Sequence, residues 1–406
     1  MKELLITQPD FMETFSCVGT DCREHCCKGQ SVTLDRNRYQ KYIKSPYADI
    51  KRIAINQISV TQASLASWAN IHPDNHGNCP FLDEQQLCQI HKHAGANALS
   101  NSCATYPRVE HIYKNQKIKS MSLSCPEVTR KVLFSPEALI LRFSTIHQYD
   151  YYKAPDIVID ERIANRACAA IIAASEETSV PGETISIEES LWAINRFLLT
   201  NQMSSDVNKN KMAEMDSLRA KLISAVASGK AADELMAIDY SPAIRHELFD
   251  YFYHFLAQTP DIRGKKVLAG YADTLQAVLT DTLISPKHIE QQLSDAWHQH
   301  ALPFFMQHSS IWRNYFFYRI HHDQLAMGDK CAVTVFNLQV IDFFYLKTLI
   351  SAHVMKTGQL VEDDLIDIVY SYHACCDTSD DLGQQLTQEL TACAATDDFP
   401  LLSLLI

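Results

Sequence analysis

The sequence predicts a mainly α-helical protein in which a cysteine-rich, metal-binding N-terminal module is followed by an α-helical region. Eight of the thirteen cysteines lie within the first 125 residues. From residue 126 onward, apolar residues recur at helical intervals. Glycine is also scarce, with 11 residues in 406, whereas a chain with many strand turns normally carries more.

Length and charge predict two units. A chain of 406 residues exceeds the size at which one hydrophobic core usually stops growing. We predict that residues 1–130 form the cysteine-rich metal or iron–sulfur module and that residues 131–406 form the helical region, a candidate for substrate recognition. The first carries a net charge of +3 and the second −15. This acidic balance, without basic runs among aromatics, argues against nucleic acid as a partner. The acidic region is a candidate to attract a lysine-bearing surface, with an ordinary solvated helical face as the alternative.

The N-terminus lacks the features of an export signal. No basic stretch followed by an apolar core opens the chain, and Lys347 interrupts the most apolar run before it reaches the length of a membrane span. We therefore predict a cytoplasmic protein with no membrane partner.

Several elements can be placed individually. Short helices are predicted at residues 35–43 and 91–100. Ser186 and Glu189 have the spacing of a capping box at the start of another helix. A long apolar helix is predicted over residues 333–355, at the centre of the second core. Residues 176–184, 204–209 and 259–264 are predicted connectors.

Cysteine spacing predicts the metal site. Four cysteines follow the pattern C-x(4)-C-x(3)-C-C, and four more are spread over the next hundred residues, two of them directly before proline. Ligand cysteines of iron–sulfur proteins commonly lie on such turns, which let thiolates converge. The candidate metal ligands are Cys17, Cys22, Cys26, Cys27, Cys79, Cys88, Cys103 and Cys125. The later cysteines lack ligand spacing and are predicted to be buried small hydrophobes: Cys168, Cys331, Cys375, Cys376 and Cys393.

The residues leave the identity of the metal open. Disulfides need an oxidising compartment, which nothing here indicates, and thiolates suit zinc and iron–sulfur centres equally. Adjacent Cys26 and Cys27 point in different directions unless the chain turns sharply, so one of them can serve a second metal or stay unligated. A hydrolytic Cys/His pair involving His25 or His91 is a weaker alternative.

Two common cofactor motifs are missing. No G-x-G occurs, which argues against Rossmann and P-loop nucleotide sites. The triplet C-x(3)-C-x(2)-C of radical S-adenosylmethionine enzymes fails because Gly29 stands where its third cysteine would be.

Several cysteine segments resemble a known family. They are CVGTDCREHCCKG at 17–29, GNCPFLD at 77–83, LC at 87–88, CATYPR at 103–108 and LSCPEV at 123–128. Over residues 10–130 these segments resemble a wider family of zinc- or iron-chelating cysteine modules. Together with the chain's length and its opening residues, they resemble the flagellin lysine-N-methylase family.

This resemblance implies an enzyme that transfers methyl groups from S-adenosylmethionine to lysine ε-amines of flagellin. It also implies an iron–sulfur cluster of the 4Fe-4S type, with zinc as the alternative metal. Lysine must lose its proton before it attacks a methyl sulfonium directly; otherwise the cluster takes part, and the residues do not decide between these routes. Tyr106 and Arg108 follow Cys103 and are candidates to position the donor carboxylate, with packing and a surface ion pair as the alternative. A metal-stabilised protein-binding module without catalysis is the other functional hypothesis.

Overall fold

A computed structural model describes residues 2–29, 31–148, 154–177, 186–203, 211–238, 242–280, 285–325, 331–376 and 401–405. Their strands are β1 (Lys2–Pro9), β2 (Val32–Leu34), β3 (Ile58–Val60), β4 (Ala69–Ile71), β5 (Arg108–Ile112), β6 (Gln116–Met121) and β7 (Leu141–Gln148). The α-helices up to residue 203 are α1 (Phe11–Thr14), α2 (Arg36–Ile43), α3 (Ala48–Gln57), α4 (Gln89–Ala94), α5 (Asn101–Thr105), α6 (Pro126–Phe134), α7 (Ile159–Glu177) and α8 (Ile187–Met203). Those that follow are α9 (Lys211–Ala227), α10 (Lys230–Met236), α11 (Pro242–Gln258), α12 (Lys265–Leu279), α13 (Pro286–Ala296), α14 (Leu302–Gln307), α15 (Ile311–Asp323), α16 (Ala332–Thr357) and α17 (Glu362–Cys376). The predicted fold class is confirmed, because a small sheet-containing N-terminal part is followed by helices.

Two small sheets shape the N-terminal part. The four-stranded sheet has the order β5-β6-β1-β7, with β1 parallel to β6 and antiparallel to β7. Leu5 of β1 lies opposite Gln116 on one side and Thr145 on the other. The three-stranded sheet has the order β2-β4-β3, and all its pairs are antiparallel.

A separate small hydrophobic core supports part of the cysteine-rich region. It lies among α2, α3 and the three-stranded sheet. Phe81, from the GNCPFLD segment, is fully buried there, with its ring centroid 5.9 Å from that of Tyr42. The Asp35 side chain accepts a hydrogen bond from the Arg38 backbone N–H and caps α2.

The large core joins the two ends of the chain. Phe11, Met121, Leu123 and Val128 pack with the helices through to Leu405. α6 spans residue 130, and β7 beyond it pairs with β1. The boundary between the two hydrophobic cores therefore does not coincide with residue 130. The division into two units at that residue stays a prediction.

Helix α16 is the long apolar helix predicted from the sequence. Its buried face includes Phe336, Phe343 and Leu349, and it ends at Gly358, whose φ of 76° is left-handed. Among the described helices it alone is long and apolar enough to cross a membrane. However, 61% of its most apolar stretch is buried inside the protein, as in a core helix.

Other sequence predictions have mixed outcomes. The helix at 35–43 is confirmed as α2, and the capping box is confirmed by reciprocal hydrogen bonds of 3.4 Å between the backbone N–H and side-chain oxygen atoms of Ser186 and Glu189. The helix at 91–100 is shorter than predicted because α4 ends at Gly95, which has a φ of 77°. The connector at 259–264 is confirmed. Residues 176–177 belong to α7, whereas 178–184 and 204–209 lie outside the described residues.

The burial predictions for the five cysteines after residue 130 also have mixed outcomes. Cys168 and Cys375 are buried as predicted, and Cys376 is half-buried. The prediction was wrong for Cys331, which is exposed at the N-cap position of α16. Cys393 lies outside the described residues.

Candidate metal centre

Residues 17–29, here called the cysteine loop, contain little regular structure and carry four of the candidate ligands. A single 3₁₀ turn at Gly19–Asp21 is followed by Cys22, whose backbone N–H donates to the Gly19 carbonyl at 3.2 Å. The Cys22 thiol donates to the Glu24 carbonyl at 3.2 Å. Cys22 and Cys27 are half-buried, whereas Cys17 and Cys26 are exposed. An irregular loop of this kind leaves its thiols free to turn inward.

A tight turn at residues 74–79 brings Cys79 beside the cysteine loop. The Asp74 carboxylate accepts hydrogen bonds from the backbone N–H groups of His76 and Asn78, at 2.8 and 2.9 Å. The Cys79 N–H then donates to the Cys27 carbonyl at 2.9 Å. Two segments 52 residues apart in sequence are joined directly at their cysteines.

A second turn of the same type positions Cys88. The Asp83 carboxylate accepts from the backbone N–H groups of Gln85 and Leu87, at 3.0 and 2.9 Å. Leu82 and Cys88 then face one another across an isolated β-bridge. Since the neighbouring Phe81 is fixed in the small core, Cys79 and Cys88 are held at a defined position.

The remaining two candidates lie at helices. Cys103 is on α5, where Ser100 caps the helix and accepts from the Cys103 N–H at 3.2 Å. Cys125 is buried at the N-cap of α6, directly before Pro126. Proline is favoured at the first position of a helix, which accounts for this Cys-Pro pair.

Electrostatic coupling shows which thiols the fold brings together. Burial raises the pKa of Cys79 to about 12, with further contributions from Cys88 and Cys103. Burial likewise raises the pKa of Cys88, and the neighbouring thiolate of Cys26 adds to the effect. A thiol–thiol hydrogen bond lowers the pKa of Cys26 and raises that of Cys27. One group of neighbouring thiols therefore consists of Cys26, Cys27, Cys79, Cys88 and Cys103.

The other three cysteines adjoin this group at Cys22. Burial is the first cause of the raised Cys22 pKa, and the charges of Cys17 and Cys26 also contribute. Burial raises the pKa of Cys125 to about 11, and Cys22 also acts on it. Each of the eight predicted ligands thus has at least one other of them as an electrostatic neighbour, and their role as ligands stays a prediction.

The chemistry of these donors fits a thiolate-bound metal. Every cysteine in the described ranges is a free thiol. Two buried polar atoms beside the cysteines, Nδ1 of His25 and Nε of Arg263, have no hydrogen-bond partner among the described residues. Across those same residues, no three Cys, His, Asp or Glu side chains already stand in a metal-binding group. Binding would therefore require the thiols to rotate inward and lose their protons.

The two predicted donor-binding residues have different surroundings. The Tyr106 hydroxyl lies 3.1 Å from the Ser124 hydroxyl, and the Arg263 guanidinium lies 4.7 Å from the centroid of its ring. Burial raises the pKa of Tyr106 above its ordinary value. Arg108 is exposed, with its guanidinium 5.8 Å from the ring centroid of Phe15. The structure brings Tyr106 to the cysteines, and the role of both residues in donor binding stays a prediction.

The cysteine loop is anchored to the helical region through residues 259–264, here called the bridging loop. The Lys28 ammonium lies 3.7 Å from the Asp261 carboxylate, and Gly29 packs directly against Ile262. Arg23 forms ion pairs with Asp363 and Asp367 of α17. The cysteine centre therefore lies against the helices.

Sequence reasoning missed Arg263 and Glu24. From the sequence alone, the segment that contains Arg263 is interpreted only as a connector. The feature that could have indicated Arg263 is an arginine between a proline and a glycine in PDIRG at 260–264. Glu24 stands between two candidate ligands, but no spacing rule gives it a partner. Both act through contacts more than a hundred residues away in sequence.

Comparison with known proteins identifies the family. A model described as the FliB lysine N-methylase C-terminal domain matches residues 182–405, more than half of the chain. The chain belongs to the FliB lysine N-methylase family. A second family model, CxxCxxCC, whose domain is described as zinc- or iron-chelating, matches residues 16–126 of this FliB-family chain.

Curated relatives agree with this membership. The FliB-family chain is 30% identical to a protein named lysine-N-methylase from Salmonella typhimurium, with both chains covered over their full lengths. A protein of the same name from Salmonella choleraesuis matches equally well. The flagellar biosynthetic protein FliU of Salmonella muenchen is 45% identical over 142 residues, which cover 35% of this chain and 84% of FliU. No solved structure matches.

Proposed function

We propose that this protein is a protein-lysine N-methyltransferase that transfers methyl groups from S-adenosylmethionine to lysine ε-amines of flagellin. The observation that carries the proposal is the full-length similarity to proteins named lysine-N-methylase. The relative named as a flagellar biosynthetic protein supports a flagellar substrate. We place the activity in the cytoplasm.

We further propose that the cysteine centre holds an iron–sulfur cluster of the 4Fe-4S type. The candidate ligands are Cys17, Cys22, Cys26, Cys27, Cys79, Cys88, Cys103 and Cys125, which exceed the needs of one cluster. A bound cluster would supply redox-active iron and a strong local charge. Zinc is the alternative, because thiolates bind both metals.

The protein's own residues have defined tasks in this proposal. In the proposal, the cysteine module holds the metal, and Tyr106 and Arg108 are the candidates to orient the donor carboxylate. The acidic helical region presents the lysine-bearing surface of flagellin. In a direct transfer, the neutral amine attacks the methyl carbon, the carbon–sulfur bond breaks, and a proton leaves the amine. Because lysine ordinarily has a pKa near about 10.4, the site must desolvate the amine or accept its proton.

Co-expression with flagellin tests the activity. Mass spectrometry should find lysines heavier by one or more methyl increments when the wild-type protein is present. A Cys26→Ser variant, compared at the same amount of soluble protein, is the control. Unmodified flagellin beside soluble, metal-loaded protein would contradict the proposal.

The second candidate function is a metal-stabilised module that binds protein without catalysis. The turns that fix Cys79 and Cys88 favour it, since they resemble the supports of a structural metal site. Binding of S-adenosylmethionine, measured by calorimetry, separates the two functions, because a pure binding module has no need of a methyl donor. A brown preparation with broad visible absorption indicates iron–sulfur, and a colourless zinc-containing one indicates zinc.

A further inference from the structure

Within the part of the chain that the structure describes, Arg263 is a buried cation without a carboxylate in an ion pair with it. Only 6% of the residue is exposed, and no carboxylate among the described residues forms an ion pair with it. The guanidinium donates to the hydroxyl oxygens of Tyr106 and Ser124, the latter at 3.0 Å, while Nε finds no partner in the described ranges. An isolated buried charge is unfavourable unless a countercharge lies nearby. The chain must therefore compensate this charge by other means.

Arg263 and its neighbour Gly264 contact three separate cysteine segments. Tyr106 lies three residues after Cys103, and Ser124 directly precedes Cys125. The Gly264 N–H donates at 2.7 Å to the side chain of Glu24, which stands between Cys22 and Cys26. Arg263 and Gly264 thus contact residues that neighbour Cys22, Cys26, Cys103 and Cys125 in sequence.

Thiols and the Glu24 carboxylate are the acidic groups near this cation, and Glu24 already pairs with Lys28 at 3.5 Å. The positive charge of Arg263 acts on Cys22, Cys26 and Cys125. A divalent ion bound by four thiolates carries excess negative charge, because the thiolates outnumber the charges of the metal. An adjacent guanidinium would offset that excess, and a buried position would protect the attraction from screening by salt.

We infer that Arg263 supplies the countercharge of the thiolate centre, so that the helical region completes the metal site as a positioning element. The inference rests on the metal centre of the proposed function, but not on methyl transfer or flagellin. A failure of this inference can therefore be distinguished from a failure of the proposed methyl transfer to flagellin. The alternative is that Arg263 pairs with the carboxylate of a bound methyl donor instead of with the thiolates.

The experiment measures how tightly full-length protein holds its metal. Arg263→Gln, Arg263→Met and Arg263→Lys are compared with wild type and with Arg130→Gln, an exposed arginine on α6 that pairs with Glu127. Metal per chain is measured by elemental analysis, and metal loss is followed in excess chelator. The Gln and Met variants should lose metal at least tenfold faster, Lys should be intermediate, and Arg130→Gln should match wild type. Wild-type kinetics in the Gln and Met variants would overturn the inference.

A stability cycle separates charge from packing. The urea midpoints of metal-loaded and metal-depleted protein are measured for wild type and Arg263→Met. Removing the charge should destabilise the loaded protein and leave the depleted protein unchanged or more stable, because protonated thiols offer no countercharge. Equal destabilisation of both forms would assign Arg263 a structural role and overturn the inference. Unchanged metal retention with at least tenfold weaker S-adenosylmethionine binding would assign it to the donor carboxylate, with the same consequence.

Discussion

The Glu24 carboxylate accepts a hydrogen bond from the backbone N–H of Gly264 at 2.7 Å, although 240 residues separate them in sequence. The same carboxylate oxygen accepts from the Tyr370 hydroxyl at 3.3 Å, and Lys28 lies 3.5 Å from the other oxygen. The side chain is only 13% exposed. Glu24 therefore joins the cysteine loop to both the bridging loop and α17.

Glu24→Ala should lower the free energy of unfolding by about 1–3 kcal/mol, because it leaves a buried N–H and a hydroxyl without their acceptor. Glu24→Gln keeps one acceptor oxygen and should cost less. Urea unfolding with the metal content held equal measures both effects. Glu110→Gln, which alters only exposed ion pairs with Lys117 and Lys119, is the control and should stay within about 0.5 kcal/mol of wild type. Equal stabilities for all three variants would contradict an anchoring role.

Gly29→Ala tests the contact between the cysteine loop and the bridging loop. A Cβ at Gly29 would lie 2.2 Å from Cα of Ile262, and the φ of Gly29 is 76°. Gly229 has a similar φ of 78° but open space around it, so Gly229→Ala reports the backbone cost alone. Gly29→Ala should be less stable than Gly229→Ala by roughly 2 kcal/mol in urea unfolding. Similar losses in the two variants would show that the two loops separate easily.

The sequence could predict the helical part of the fold because its signals are local. The capping box of α8 and the apolar run of α16 depend on residues within a few turns of each other. The two sheets could not be predicted in this way. Strands β2, β3 and β4 have only three residues each, too few for an alternating pattern, and β1 pairs with partners more than a hundred residues away.

The candidate site shows the same division between local and distant information. Turn residues such as Asp74 and Asp83, next to Cys79 and Cys88, explain why these segments suit ligands. The structure places the positive charge of Arg263 near the thiols, whereas the sequence alone indicates Arg108 as the candidate arginine of the site. Only the packing of the bridging loop against the cysteine loop reveals this, because no spacing rule links residues 22 and 263.

Single cysteine substitutions test the ligand set. Cys22→Ser and Cys26→Ser should abolish metal binding, because a hydroxyl is a poor replacement for a thiolate, and solubility should fall with it. Cys331→Ser is the matched control, since Cys331 is an exposed thiol outside the centre. Elemental analysis of purified protein gives metal per chain for each variant. Full metal content in Cys22→Ser or Cys26→Ser would remove that residue from the ligand set, and loss in Cys331→Ser would move the boundary of the site.

His321 should make the stability of the fold depend on pH. It is buried between α15 and β6, where its Nε2–H donates to the Lys119 carbonyl at 2.9 Å. Burial lowers its pKa from 6.5 to about 4. Between these values the unfolded chain binds a proton that the folded chain does not, so stability is full above pH 6.5 and falls as the pH falls towards 4.

The expected loss is on the order of 3 kcal/mol. His321→Gln keeps a donor for the Lys119 carbonyl and cannot titrate, so its stability should fall less over the same range. Urea midpoints at several pH values, at constant metal content, measure the difference between the two proteins. Parallel pH curves for wild type and His321→Gln would show that His321 does not control acid stability.

Salt should weaken the recruitment of flagellin if charge attracts it. Residues 131–406 carry a net charge of −15, and α17 begins with Glu362, Asp363 and Asp364. Arg23 of the cysteine loop pairs with Asp363, so this acidic turn borders the candidate centre. Attraction between exposed charges is screened over about 8 Å at physiological ionic strength. Association of flagellin should therefore slow by roughly tenfold from low to moderate salt.

Two charge variants test whether this attraction is local. Glu362→Lys and Asp216→Lys change the net charge equally, but Asp216 lies on α9. Association rates for flagellin are measured at low salt, with metal content as the control for integrity. Glu362→Lys should slow association more than Asp216→Lys, because a charge beside the candidate centre acts more strongly on a substrate bound there than a distant one. Equal effects would assign recruitment to overall charge, and association that ignores both salt and these variants would leave shape complementarity as its basis.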